Sequence, residues 1–336
     1  MARRTITYNA RPIDIAYLKQ SPKGESRGVI VFLHGWGSDK ELMHMAFGQT
    51  FMDYTHYYVD LPGFGESVYG LDSSDSILET RDYAAIINGF FRELHIAPNV
   101  VVGHSFGGKV AMLCAGEQVI LLSSAGIVRP KRFGVRMKIA CAKLAKRLRL
   151  HIPALRAQDA QNLNPIMYEI FKRVVDEDFS QIFATSTKRV SIFWGKGDEA
   201  TPLDSGEKIH ALISNSRFFP MEGDHYFFLR QGERVESLFN LQCLHIRVFG
   251  KVQGVGFRKF TKASAEMLGV QGSAQNLPDG SVEVYAYGDD HQLTALLEKL
   301  SVGPSRAQVE KVESIKVARG LDVAGFWIVP DSGILK

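Results

Sequence analysis

A serine hydroxyl is a poor nucleophile unless a neighbouring base removes its proton. The sequence offers such a serine in "GHSFG", where Ser105 fits the pattern G-x-S-x-G between an apolar run and a helical stretch. The flanking glycines permit a tight turn from which the hydroxyl projects. The candidate base is His225 in "EGDHYFF", and the candidate acid that orients it is Asp198 in "WGKGDEATP". Such a constellation attacks an acyl carbonyl, so esters, thioesters and amides all suit it. His34 and His104 flank the serine region and compete as bases; His34 reads instead as a residue that shapes its loop, and His104 as the filler of the variable position. Asp60 also ends a strand and competes with Asp198, which is preferred. A different chemistry begins at "FGKVQGVGFR", where Gly250, Gly254 and Gly256 let successive backbone N–H groups turn inward as an anion nest. The candidate phosphate cradle is Gly250, Lys251, Val252, Gln253, Gly254 and Val255, followed by Arg258 at the start of a helix. A helix N-terminus and a guanidinium fork both favour a phosphoryl group there.

These residues need elements to position them. Short apolar runs at 28–35 ("GVIVFLHG"), 56–63 ("HYYVDLPG"), 99–108 ("NVVVGHSFGG"), 118–124 ("QVILLSS") and 190–198 ("VSIFWGKGD") read as strands. A helical stretch at 77–94 lies between two of them. Apolar strands alternating with amphipathic helices predict an α/β fold with a mostly parallel sheet covered on both faces. From Leu244 the pattern changes: strand, glycine loop, helix, then "GSAQNLPDGSVEVYAYG" as a hairpin turning at "LPDG", then a helix and a strand. The order β-α-β-β-α-β predicts an α+β ferredoxin-like sandwich.

Residues 1–240 resemble the α/β-hydrolase superfamily through "HGWG" (34–37), "DLPGFGES" (60–67), "GHSFGG" (103–108), Asp198 and His225, in the order serine, acid, histidine. The resemblance implies an oxyanion hole from the backbone N–H groups of Trp36 and Phe106, and a helical cap inserted at about 127–188. It also makes "DLPGFGES" a structural loop, which favours Asp198 over Asp60. Residues 243–331 resemble an acylphosphatase domain through "VFGKVQGVGFR" and "GSAQNLPDGSVEVYAYG". That resemblance implies that Arg258 binds the phosphate and Asn276 positions the attacking water. The second motif departs from the family at Ser273, where an aromatic residue is usual and is expected to pack under the strand.

An asparagine has no useful acid–base pKa, so Asn276 can orient water but not deprotonate it. The substrate's own phosphate oxygen is then expected to take the proton, with no metal and no cofactor. The expected function is a bifunctional hydrolase: serine-dependent acyl hydrolysis in the first domain, acyl phosphate hydrolysis in the second. Two rivals stand beside it, an acyltransferase in the first domain and a non-catalytic sensor of a ligand or acyl phosphate.

Within the cap, residues 129–156 carry ten lysines and arginines and no acid. Phe133, Met137, Ala140, Leu144, Leu148 and Ile152 recur near helical spacing. A cap helix over the pocket, a basic helix making weak contact with an anionic membrane surface, and an attractor of anionic substrate are the three readings. The net charge of +4 is too small to imply nucleic acid. No apolar run reaches the roughly 20 residues that span a bilayer. No secretory signal is expected. Cys114, Cys141 and Cys243 are far apart, as for free thiols in the cytoplasm.

Overall fold

Strands buried on both faces must be apolar throughout, and the middle of the first sheet follows that rule. Val29–Leu33 (β3) and Val100–His104 (β5) pair in parallel, and Ile30, Val31, Phe32, Val100, Val101 and Val102 are fully buried. The computed structural model describes residues 2–69, 77–128, 165–317 and 325–330. It divides into two compact units, residues 1–233 and 234–336. The basic stretch 129–156, the greater part of the expected cap at 127–188, and Cys141 lie outside the described residues.

In the first unit the strands are β1 (Ala2–Tyr8), β2 (Arg11–Gln20), β3, β4 (Thr55–Val59), β5, β6 (Gln118–Leu122), β7 (Arg189–Gly195) and β8 (Ser216–Met221). Their order across the sheet is β1-β2-β4-β3-β5-β6-β7-β8. From β4 to β8 every pairing is parallel, while β1–β2 and β2–β4 are antiparallel. The leading hairpin turns through Asn9 and Ala10, both at positive φ (49° and 60°), as a two-residue turn that matches strand twist requires.

The helices of this unit are α1 (Lys40–Phe47), α2 (Thr80–Glu93), α3 (Phe106–Leu113), α4 (Pro165–Val175), α5 (Ser180–Ala184) and α6 (Leu203–Leu212). Asp39 caps α1 by accepting from the Glu41 and Leu42 amides. Helix α2 buries Tyr83, Ile86, Ile87 and Phe90 in the same cluster as Val31, Leu33 and Val101. By area, each such side chain contributes about 1.5–3 kcal/mol of hydrophobic stabilisation.

After α7 (Gly232–Asn240) come β9 (Gln242–Lys251), α8 (Phe257–Met267), β10 (Gln271–Asn276), β11 (Val282–Gly288), α9 (Asp290–Val302) and β12 (Gln308–Val317). A short fifth strand, β13 (Phe326–Ile328), closes the sheet beside β10, giving the order β12-β9-β11-β10-β13. The expected β-α-β-β-α-β order thus gains one strand. Leu244, Ile246 and Val248 alternate into a core with Val284, Ala286, Leu296 and Leu300, while His245, Arg247 and Phe249 are only partly buried. Ser273 shares that second pattern. It is partly exposed and pairs with Tyr285 on one side and Trp327 on the other, rather than packing under the strand. The aligned Trp327 is 53% exposed.

Candidate active sites

The turn between β5 and α3 puts Ser105 in a backbone conformation that L-residues avoid, with φ 50° and ψ −114°. Holding a non-glycine residue there costs on the order of 1–3 kcal/mol, which the surroundings must offset. They do so with main-chain bonds. The Ser105 N–H donates to Leu122 O at 3.0 Å, and Ser105 O accepts from the Gly108 and Ala125 amides at 3.1 and 3.0 Å. Glycine is required on either side of the turn. A β-carbon on Gly103 would come within 2.3 Å of Gly107 O, and one on Gly107 within 2.4 Å of His34 O.

Asp198 follows β7 and His225 follows β8, at the carboxyl end of the sheet where α/β folds keep their functional loops. His225 Nδ1 lies 2.8 Å from Asp198 Oδ2. The carboxylate can only accept, so Nδ1 carries the proton and Nε2 offers its lone pair. Asp198 is itself tightly held. The Ala200 and Thr201 amides donate to Oδ1 at 2.9 and 2.8 Å, and the Thr201 hydroxyl donates to Oδ2 at 2.8 Å. Burial alone would raise the Asp198 pKa; the bonds from His225 and Thr201 outweigh it and hold the carboxyl below its usual range. Ser105 Oγ and the imidazole do not share a hydrogen bond among the described residues, whose partners for His225 Nδ1 are Asp198 and Thr201. Catalytic bonds of this kind are often long before substrate binds.

Asp60 has a different employment. Its oxygens accept from the Lys40 amide, the Lys40 ammonium and the Glu66 amide at 2.7, 2.9 and 2.8 Å, tying down the loop 60–67. His34 uses both ring nitrogens within its own loop: Nε2 accepts from the Leu61 amide at 3.0 Å and Nδ1 donates to Gly35 O at 2.7 Å. It has no lone pair left for a serine. The Trp36 and Phe106 rings meet edge to face at 5.5 Å, which sets the loop after β3 against the start of α3. Among the described residues neither amide has a backbone acceptor.

Two parts of this site escaped the sequence reading. Thr201 carries a visible signal, since an aspartate followed three residues later by threonine can fold into an Asx turn. Lys109 is only 1% exposed and ties α3 to the end of α4 and the segment just after it. Its ammonium donates to Val174 O at 2.6 Å and Glu177 Oε2 at 2.9 Å, and lies over the Phe179 ring. Nothing local in the sequence announces that partner.

In the second unit, Gly250, Gly254 and Gly256 all adopt positive φ (119°, 72° and 84°). Gly250 has a packing reason as well: a β-carbon there would meet Gln308 O at 2.2 Å, beside a register shift in β12. Val252 differs from its neighbours in the loop. Its amide already donates to Gly250 O at 3.0 Å and its side chain is buried in the core, so it is not a free donor in the cradle. Lys251, Gly254 and Gly256 are exposed, while Gln253 and Val255 are partly buried. The Gln253 amide group spans to Leu277 O and Ser281 O at 2.9 and 2.8 Å, fastening the loop to the hairpin just after Asn276. Arg258, in the first turn of α8, donates to Val329 O at 3.2 Å, and the Val329 amide donates to Ala274 O at 2.9 Å. The Gln253 and Arg258 side chains thus tie the loop and the first turn of α8 to main-chain atoms around the end of β10 that carries Asn276.

A family model described as acylphosphatase matches residues 244–328. An acylphosphatase of Pseudomonas paraeruginosa is 48% identical over 86 residues, covering 26% of this chain and 93% of that protein. The chain belongs to the acylphosphatase family through its second unit. An acylphosphatase of Bifidobacterium longum is 51% identical over 73 residues, 22% of this chain and 75% of that protein. A model of the alpha/beta hydrolase fold matches residues 28–127. The structure of an esterase from Exiguobacterium antarcticum is similar to 69% of this chain and 96% of its own, at 20% identity and a TM-score of 0.54. The first unit therefore has the α/β-hydrolase fold, and the acylphosphatase domain follows it in one chain.

Proposed function

We propose that this chain is a hydrolase with two independent active sites. The observation that carries the first is the combination of Ser105 at a strained turn with an Asp198–His225 pair joined at 2.8 Å. Ser105 Oγ attacks the acyl carbon of an ester or thioester while His225 Nε2 takes its proton. The Phe106 and Trp36 amides receive the oxyanion, each worth roughly 3–4 kcal/mol to the transition state. His225 returns the proton to the departing alkoxide or thiolate. It then deprotonates water, which attacks the acyl carbon; the Oγ–acyl bond breaks, His225 returns the proton to Ser105 Oγ, and the acid leaves. Asp198, kept ionised by its bonds, stabilises the imidazolium that forms at each step.

In the second domain amides of the glycine loop and Arg258 hold the phosphoryl group of an acyl phosphate. Asn276 aims a water at it, and a phosphate oxygen takes the water's proton. The carboxylate leaves, so the products are a carboxylate and inorganic phosphate. The family membership of residues 244–328 supports this reaction class.

The crossed variants test both halves at once. Ser105→Ala is expected to abolish hydrolysis of a p-nitrophenyl ester panel and leave benzoyl phosphate hydrolysis intact. Arg258→Ala should do the reverse. If either variant keeps the activity assigned to its site, that site's assignment is wrong.

A further inference from the structure

The variable position of the serine turn holds His104, which no step above employs. Its side chain is 1% exposed. Nε2 lies 3.1 Å from the main-chain carbonyl oxygen of His225. A carbonyl only accepts, so Nε2 carries the proton. Nδ1 is then a buried lone pair, and among the described residues it has no partner. The ring centroid is 4.6 Å from that of His225, 5.1 Å from Tyr226 and 4.8 Å from Phe228. The loop after β3 rests on the same ring. A β-carbon on Gly35 would come within 2.8 Å of His104 Nδ1 and 3.1 Å of Ser105 Cβ.

A residue needed only to fill this space would be phenylalanine or leucine, which buries no orphaned nitrogen. The histidine tolerates that penalty and makes one directed bond, to the residue whose placement decides the reaction. His225 sits in an irregular turn between β8 and the short helical turn at Phe227–Arg230. Asp198 fixes the imidazole through Nδ1, yet that bond does not by itself fix the main chain.

We infer that His104 is a positioning residue whose Nε2–H holds the His225 main chain against the serine turn, keeping the imidazole within reach of Ser105 Oγ. The inference rests on the serine-hydrolase reading of the first domain. Burial, and then the neighbouring His225, hold the His104 pKa well below its ordinary value. A neutral His104 adds no second positive charge when His225 takes up the serine proton.

Three variants of the full chain separate the bond from the volume. His104→Gln keeps an N–H donor near the Nε2 position, His104→Asn places its amide too short, and His104→Phe keeps a ring without a donor. Each is assayed beside wild type and Ser105→Ala with p-nitrophenyl butyrate and a fluorophosphonate probe, with thermal midpoints recorded. The expected result is a kcat lowered roughly tenfold or more in the Phe and Asn variants, with KM within about twofold. Probe labelling should slow by a similar factor, and His104→Gln should recover most of the loss. Should the Phe variant fail to fold, the Gln and Asn pair decides alone. Equal kcat in Gln and Asn, or a Phe variant matching wild type, overturns the inference. If instead Ser105→Ala hydrolyses the ester as wild type does, the serine reading itself fails, whatever His104 does.

Discussion

Replacing Gly107 by alanine tests whether the turn and the loop after β3 are held in mutual register. A β-carbon at this position would lie 2.4 Å from His34 O, 2.6 Å from Leu33 O and 2.9 Å from Leu33 C. All three are backbone atoms, so no side-chain rotation relieves the contact. Restoring an ordinary separation of about 3.5 Å requires the two segments to part by about 1 Å. Overpacking of that kind costs typically about 1–3 kcal/mol. In a unit of this size it lowers the thermal midpoint by about 2–12 °C, at about 2–4 °C per kcal/mol. The chemistry should suffer more than the stability, because Trp36 follows His34 by two residues and its amide moves with the loop. A displacement of 1 Å is worth roughly 10²-fold in rate. Gly107→Ala is thus expected to lose roughly 10²-fold in kcat/KM on p-nitrophenyl esters while benzoyl phosphate hydrolysis is untouched. A folded Gly107→Ala protein with wild-type ester kcat/KM would refute the geometry claimed for the oxyanion donors.

Asp198→Asn should lower ester kcat by roughly 10⁴-fold with little change in thermal midpoint, because an amide N–H facing Nδ1 selects the wrong imidazole tautomer; a loss under tenfold would contradict the assigned role. Mild acid should destabilise the first unit through its buried histidines. His34, His56 and His104 are buried and burial lowers all three pKa values, so the unfolded chain takes up protons near pH 6.5 while the native state does not. Their contribution is complete above the unfolded value and falls as pH drops below it, by up to about 1.4 kcal/mol per pH unit for each histidine. Urea unfolding between pH 8 and pH 5 measures this, and a flat profile would count against neutral burial of these rings.

The fold was legible where burial on both faces forces apolar runs. β3, β5, β6 and β7 stand out in the sequence for that reason. The leading hairpin did not, because its turn uses Asn9-Ala10 instead of asparagine-glycine and its outer strand is largely exposed. β13 spans three residues and pairs with β10 only in the folded chain. Ser105, Asp198, His225 and the glycine loop were visible through residue type and position at strand ends. What the sequence withheld were bonds between distant segments. Thr201 meets Asp198 only once the loop after β7 turns back, Lys109 meets Glu177 across 68 positions, and the grip of His104 on His225 spans 121 positions. In the second domain, Val252 belongs to the motif by type, yet its amide is already engaged. That is a backbone fact that residue identity does not encode.

Ser105 stands in this proposal as a nucleophile activated by His225, whose imidazole Asp198 orients. Treatment of the folded full chain with a fluorophosphonate, followed by intact mass and peptide mapping, decides this. One adduct is expected, on Ser105, absent from Ser105→Ala and strongly slowed in His225→Ala. A folded protein that takes up no label, or one labelled elsewhere at the same rate in both variants, would contradict it.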